Sequence, residues 1–405
     1  MSNTIAASIA AAIGPDAVRT DVGGRIISTP PSIEALARLL GLAYDGGWSV
    51  ALTGAGTWQT NDAPATVTIS TRALDEVIRS VRPKWTVAVQ AGASLDAIAR
   101  FLGSQGAGLH IDPPGRADRS IGSVLATGTL GPISFPLINQ IEALAVVTGD
   151  GRIIRIDRGH HNALSLEEQL RPHIGGFGAF GVIAEVEISA REAGHPDQTF
   201  VTVGDRDRLT AAARDFEEVF LGVCAAEVLS PALAAQPEWM LAVRHRHNGD
   251  SWHAVAREAA MARSPGLAWR ELAPAEASQL WNSSARAMSS APVTFRLAAT
   301  SPGFDETLDL VIARMGEGVI SATPYRGAVR WCGEATPEQL RLLRIELAAR
   351  EIPLTIERAP WAIRSALGHL GMFHEGVGGV VDRLRESFDP GGILSPALLP
   401  AEPGS

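Results

Sequence analysis

The chain has 405 residues, 46% of them hydrophobic and 20% charged, with 41 glycines and 25 prolines spread without period; that length calls for more than one core, and the composition excludes a disordered, collagen-like or low-complexity chain. Thirty-five basic against 44 acidic residues give a net charge of −9 with no basic cluster, which sets nucleic-acid binding aside. Lys84, the only lysine, offers no Walker A loop, and Cys224 and Cys332 are too few for an iron–sulfur cluster or a four-cysteine zinc site.

The segment Met1 to Ile13 is alanine-rich without a positively charged start, so neither a signal peptide nor a membrane span is expected there. With no long apolar run elsewhere and cysteines that demand no disulfide, a cytoplasmic location is expected. Pro30 and Pro31 precede a helical run (Ile33, Leu36, Ala37, Leu39, Leu40) that Gly46 and Gly47 stop. A strand over Trp48 to Leu52 enters the turn Thr53, Gly54, Ala55, Gly56, Thr57. Strands over Val67–Ser70 and Trp85–Val89 follow, then a helix from Ser94 to Leu102 that begins with Ser94 as its N-cap. The loop from Gly106 to Arg119 contains Pro113, Pro114 and Gly115, and a small-residue stretch runs from Ser120 to Gly131. A hairpin spans Ile141 to Ile156 around Gly149-Asp150-Gly151. A glycine run, Gly175 to Gly181, feeds a strand over Val182 to Ile188. A boundary is expected near residues 191–198. Beyond it, strands near 199–203, 223–229, 239–245, 292–298, 318–323, 326–332 and 352–356 alternate with helices near 206–221, 251–263, 275–288, 304–315 and 336–350. The fold class is therefore α+β.

Three turns of glycine or small residues at element ends suit a chain wrapped around a large anion-bearing cofactor, because glycine lets backbone N–H groups approach phosphate closely. Gly176, Gly178 and Gly181 match the dinucleotide G-x-G-x-x-G spacing. That motif must open a helix, whereas the alternating β-branched run from Val182 to Ile188 reads as a strand, so a Rossmann fold is rejected.

The order of these pieces resembles the FAD-binding (PCMH-type) domain of the vanillyl-alcohol-oxidase family. The likeness rests on Thr53 to Thr57, on Ala91 to Leu95, on Ser120-Ile121-Gly122 through Ala126-Thr127-Gly128, on Val146 to Gly151, on Gly178 to Ile183, and on Phe388-Asp389-Pro390 with Ile393-Leu394. It covers residues 30–190 and 380–396. Within that family the chain is most similar to the FAD-binding subunit of bacterial glycolate oxidase, through Trp281, Phe295-Arg296-Leu297, Gly327 to Trp331 and Ala359-Pro360-Trp361. The resemblance implies a two-subdomain PCMH-type FAD-binding domain over 1–192, an α+β substrate (cap) domain over 193–376, and a C-terminal segment over 377–405 that returns to the first domain. It implies cofactor contacts from Thr53, Gly54, Ala55, Gly56, Thr57, Trp58, Pro114, Gly115, Ser120, Ile121, Gly122, Ala126, Thr127, Gly128, Gly131, Gly178, Gly181, Val182 and Ile183. Thr57-Trp58 stand where covalently flavinylated relatives carry a histidine, so the FAD is expected to be non-covalent. Ser395-Pro396 replaces the family's Asn-Pro.

Oxidising a 2-hydroxy acid needs a cation for the carboxylate and a base. Arg296 and Arg330, in apolar strands, are candidates for the first role and equally for structural ion pairs. His374 and Glu375 echo, in reverse, a Glu-His motif of related dehydrogenases and are candidates for the second. His245 and His247 share one face of a strand but lack a third ligand, so no metal is expected. His160-His161, His110 and Asp112 read as loop residues, and Trp281 and Trp331 as core or cleft wall. The resulting expectation is an FAD-dependent oxidoreductase acting on the CH–OH group of a small 2-hydroxy acid. Its electrons would leave through a partner (a second flavin subunit or an iron–sulfur subunit), a quinone or oxygen. The alternatives are a stand-alone oxidase of an alditol, lactone or specialised metabolite, and a flavin-holding subunit without catalysis of its own.

Overall fold

The computed structural model describes residues 2–59, 62–81, 85–133, 136–158, 164–192, 197–219, 223–245, 251–316, 318–371, 377–394 and 398. Helices and three sheets alternate along the chain, giving the α+β class. The helix Ile33–Gly46 illustrates how the sequence builds the first layer. Ser32 caps it by accepting from the Ala35 amide at 3.1 Å, its stripe of Leu36, Leu39, Leu40 and Ala43 is fully buried, and Gly47 ends it at φ 60°. Burying each of those leucines contributes roughly 1.5–3 kcal/mol. The helix packs on the four-stranded sheet made of Val18–Thr20, Ile26–Ser28, Val67–Ser70 and Val50–Thr53, with the last three mutually parallel. The alanine-rich start, expected only not to be a leader, forms the helix Ser2–Ile13 and seals the same core with Ile9 and Ile13.

A second, antiparallel sheet orders its strands Val77–Val81, Thr86–Gln90, Val182–Glu192, Ile141–Val147 and Ile153–Asp157, with Ala107–Leu109 pairing the far end of Val182–Glu192. Gly181 thus opens an eleven-residue strand, as the rejection of a Rossmann turn requires. The chain returns here at its end. The Val50 amide donates to the Ile393 carbonyl at 2.8 Å, and both Asp389 carboxylate oxygens accept from the amides of Ile393 and Leu394.

The third sheet has eight antiparallel strands. Its alternation is strict where it matters. Phe295, Leu297, Val329, Trp331, Leu354 and Ile356 enter a core closed by the helices Arg206–Val219, Phe304–Met315 and Pro337–Ala348. The intervening residues Arg296, Arg330 and Glu357, joined by Glu227 and Arg244 on neighbouring strands, therefore occupy the opposite face. The helix Pro274–Ala287 covers part of that face with Ala277 and Trp281. The loops around Trp58 and Gly128–Leu130 meet it elsewhere: Trp58 Nε1 donates to the Glu357 carbonyl at 3.1 Å, and Arg358 Nε to the Trp58 carbonyl at 2.8 Å. Among the described residues no helix is long and apolar enough to cross a membrane.

Candidate cofactor and substrate site

A cleft opens where the first two sheets meet the segment following the third. Its floor is the end of the strand Val50–Thr53 with the turn through Gln59. Gly54 lies so close to Ser120 that a Cβ would sit 2.2 Å from its Oγ, and Gly56 has φ 75°. The small-residue stretch, read from sequence only as a stretch, is the helix Ile121–Thr127, closed by Gly128 at φ 58°. Smallness is the reason it fits: a Cβ on Gly122 would stand 2.7 Å from that of Ala91. The glycine run then folds over this helix, with the Gly175 amide donating to Leu125 and that of Phe177 to Ala126. Phe177 holds φ 52°, a conformation costly for an aromatic residue and one that concentrates at functional sites.

Two buried histidines line the cleft, His173 from the second-sheet lobe and His369 from beyond the third sheet. His369 is clamped. Its Nδ1 lies 2.7 Å from the Ile356 carbonyl, which makes that nitrogen the protonated donor, and its ring stacks on Phe177 with centroids 3.8 Å apart. Arg344 supports the loop by donating to the Leu367 carbonyl. Burial pushes His369 down to about 3 and His173 down to about 4, so both imidazoles are neutral at physiological pH. Arg364, also in the cleft wall, is held by Asp62 at 2.7 Å.

Behind Trp58 lies a charged layer. Glu357 is fully buried and takes Arg330 in a bidentate pair at 2.8 and 3.1 Å, with Arg296 Nε at 3.5 Å. Burial alone would raise its carboxyl, but the arginines outweigh burial and hold it below the usual range. Arg330 also donates to the Leu130 carbonyl at 2.7 Å and Arg296 to that of Gly128 at 2.5 Å, tying the third sheet to the end of the small-residue helix. Glu227 is raised by burial and is hydrogen-bonded by Thr323 at 2.5 Å and by Ser321. Asp112 is raised to about 6 by burial, although Arg244 pairs with it at 3.1 Å.

Of the residues expected to touch a cofactor, the structure brings into one cleft Thr53 through Trp58, then Gly122, Ala126 and Thr127, and finally Gly178 with Gly181, Val182 and Ile183. Ser120, Ile121 and Gly128 bound that helix, while Pro114, Gly115 and Gly131 sit behind it. The Pro114 carbonyl accepts from Arg119, and a Cβ on Gly131 would overlap the Asp112 carbonyl. Arg296 and Arg330 are adjacent across paired strands. His374 and Glu375, like His247, His160, His161 and Ser395-Pro396, lie outside the described residues. Cys224 and Cys332 are both buried and neither is in a disulfide. Trp281 donates to Thr199 at 3.0 Å, and Asp112 accepts from the Ile133 amide at 2.9 Å. Sequence reasoning passed over His173, His369, Phe177 and Arg119. Phe177 within a glycine run was the one visible signal.

Residues 25–157 match the family model described as an FAD binding domain. This chain carries an FAD-binding domain. Among solved structures, the fold matches 4-ethylphenol oxidase from Gulosibacter chungangensis (isoeugenol complex) at TM-score 0.74 and 14% identity, over 99% of this chain and 97% of that one. It also matches alkyldihydroxyacetonephosphate synthase in two crystal forms. One gives TM-score 0.72 at 14% identity, over 97% of this chain and 84% of that one; the other gives 0.68 at 15%, over 97% and 86%. No curated protein matches the sequence. The fold is that of the PCMH-type FAD oxidases, and FAD is the cofactor. The cleft fits that group by its own geometry. Two glycines let backbone close in where a Cβ would collide, and the Ser120 hydroxyl beside Gly54 is buried with no partner in the protein.

Proposed function

We propose that the chain is an FAD-dependent oxidoreductase that oxidises the CH–OH group of a small 2-hydroxy acid, as a glycolate-oxidase-like FAD subunit that passes electrons to a partner subunit or a quinone. The flavin, held non-covalently, would supply the redox chemistry. The protein's share is to bind, orient and neutralise. The supporting observation is the arginine pair on the third-sheet face. Arg296 retains a side chain 31% exposed and reaches the Gly128 carbonyl, beside cleft residues Ala126 and Thr127. A guanidinium there can receive a carboxylate in a charge-assisted pair. Arg330, engaged bidentately by Glu357, orients Arg296 by sharing its carboxylate.

The neutral histidines suit hydrogen-bond acceptance from a hydroxyl better than proton storage, since the ring of His369 is locked with Nδ1 protonated. The test is anaerobic flavin reduction by a panel of 2-hydroxy acids, alditols, lactones and phenols. Bleaching by a hydroxy acid, weakened about 10- to 150-fold in Arg296→Met, is expected for a lost charged contact. Bleaching only by uncharged substrates would replace this reading with a stand-alone oxidase of an alditol, lactone or specialised metabolite. No bleaching without an added partner would make the chain an electron-relay subunit.

A further inference from the structure

Arg119 is 1% exposed, among the largest fully buried side chains, and none of its five hydrogen bonds goes to a carboxylate. Nη1 donates to the Pro114 carbonyl at 2.8 Å, and Nε to Ser123 Oγ at 3.1 Å. Nη2 donates to Thr127 Oγ1 at 2.7 Å, to Thr129 Oγ1 at 3.1 Å and to the Ser123 carbonyl at 3.4 Å. Its guanidinium lies over the Trp58 ring, 4.2 Å from the centroid. The side chain thus stands immediately behind three residues of the cleft wall: Trp58, Ser123 and Thr127. Burial lowers its pKa to about 9, which still leaves it charged at neutral pH. The charges acting on it are Glu357, already taken by Arg330 and Arg296, and the repelling Arg330. Three arginines therefore share one carboxylate.

A buried cation that must share one carboxylate with two other arginines is expensive, and an apolar residue of similar length would fill the space with less penalty. The charge is intelligible if an anion completes it. Among the described residues, the cleft in front holds no other charged wall group than Arg364, which Asp62 already pairs. We infer that Arg119 is the counter-charge of the bound flavin nucleotide, acting through the Trp58–Thr127 wall on the negative charge of FAD, either the diphosphate or the reduced ring. It touches neither directly and is a positioning residue. The inference rests on FAD occupying this cleft and is independent of the hydroxy-acid reading.

Arg119→Gln removes the charge and keeps amide donors, whereas Arg119→Lys keeps the charge. Flavin-free protein of each variant is titrated with FAD, ADP and riboflavin, and the midpoint potential of the FAD-loaded form is measured. Arg119→Gln should weaken FAD at least about tenfold, while the flavin-free protein melts no lower than wild type, since a buried charge has been removed. A parallel loss for ADP with riboflavin unchanged assigns the effect to the diphosphate. A lowered midpoint potential assigns it to the reduced ring. Arg119→Lys should bind FAD within about threefold of wild type. FAD affinity and potential unchanged in folded Arg119→Gln would overturn the inference. So would Arg119→Lys losing FAD, because geometry rather than charge would then be what the cleft needs; this arm stands even if Arg119→Gln does not fold.

Discussion

Replacing Glu357 by Gln isolates the charge at the contact between the third sheet and the loops around Trp58 and Gly128–Leu130. The carboxylate is fully buried, bidentate to Arg330 and within 3.5 Å of Arg296. Its amide replacement leaves those two guanidinium groups, and Arg119 beyond them, without their shared counter-charge. Breaking a buried pair from one side costs about 3–5 kcal/mol, because the penalty is that of the stranded charge. At about 2–4 °C per kcal/mol for a unit of 150–250 residues, the melting transition should fall by roughly 6–20 °C. The assay is thermal unfolding of Glu357→Gln, Arg330→Met and the double variant. The double variant should recover a good part of the loss, since removing both partners strands fewer charges. By contrast, the exposed Arg100–Asp96 pair should be worth at most about 0.5 kcal/mol. If Glu357→Gln melts within about 2 °C of wild type, the buried ion cluster is not what ties the sheet to the loops.

Acidification should destabilise the protein through its buried imidazoles. His173 and His369 are held below 6.5, so their contribution is complete above that pH and is lost as pH falls toward about 4 and about 3. Asp112, raised to about 6, works in the opposite sense, gaining stability as pH falls from 6 toward 3.8, and so do Glu227 and Asp389, both also raised by burial. The imidazole contribution is read as a difference between variants: from pH 6.5 to 4.5 the unfolding free energy of wild type should change less favourably than that of His369→Phe, by up to about 1.4 kcal/mol per pH unit. Acid precipitation should release all flavin into the supernatant, since the turn from Thr53 to Gln59 contains no histidine or cysteine; yellow pellets would refute non-covalent attachment.

Where one periodicity ran uninterrupted, the sequence could be read directly. The strands and helices beyond residue 198 fall within a few residues of expectation because alternation in Phe295-Arg296-Leu297 or Val329-Arg330-Trp331 has a single physical reading. The helix Ile121–Thr127 was hidden because its residues are selected for close approach to Ala91, not for an amphipathic stripe. The short strands Val18–Thr20 and Ile26–Ser28 carry too few residues for a pattern. The glycine turns of the cleft were legible because a missing side chain is itself a signal. Arg119, His173 and His369 were not, since a lone polar residue in sequence says nothing of what covers it. Arg296 and Arg330 could be placed in apolar strands, but their shared sheet face and common dependence on Glu357 needed the strand order.

We place one FAD in the cleft between the Thr53–Gln59 turn, the helix Ile121–Thr127 and the glycine run. Titrating flavin-free protein with FAD, in wild type and in Gly54→Val, tests it most directly. A side chain at Gly54 would collide with Ser120, 2.2 Å from where its Cβ must stand. Saturation at one FAD per chain is expected in wild type and none in a folded Gly54→Val. Equal FAD binding by the two proteins would contradict it.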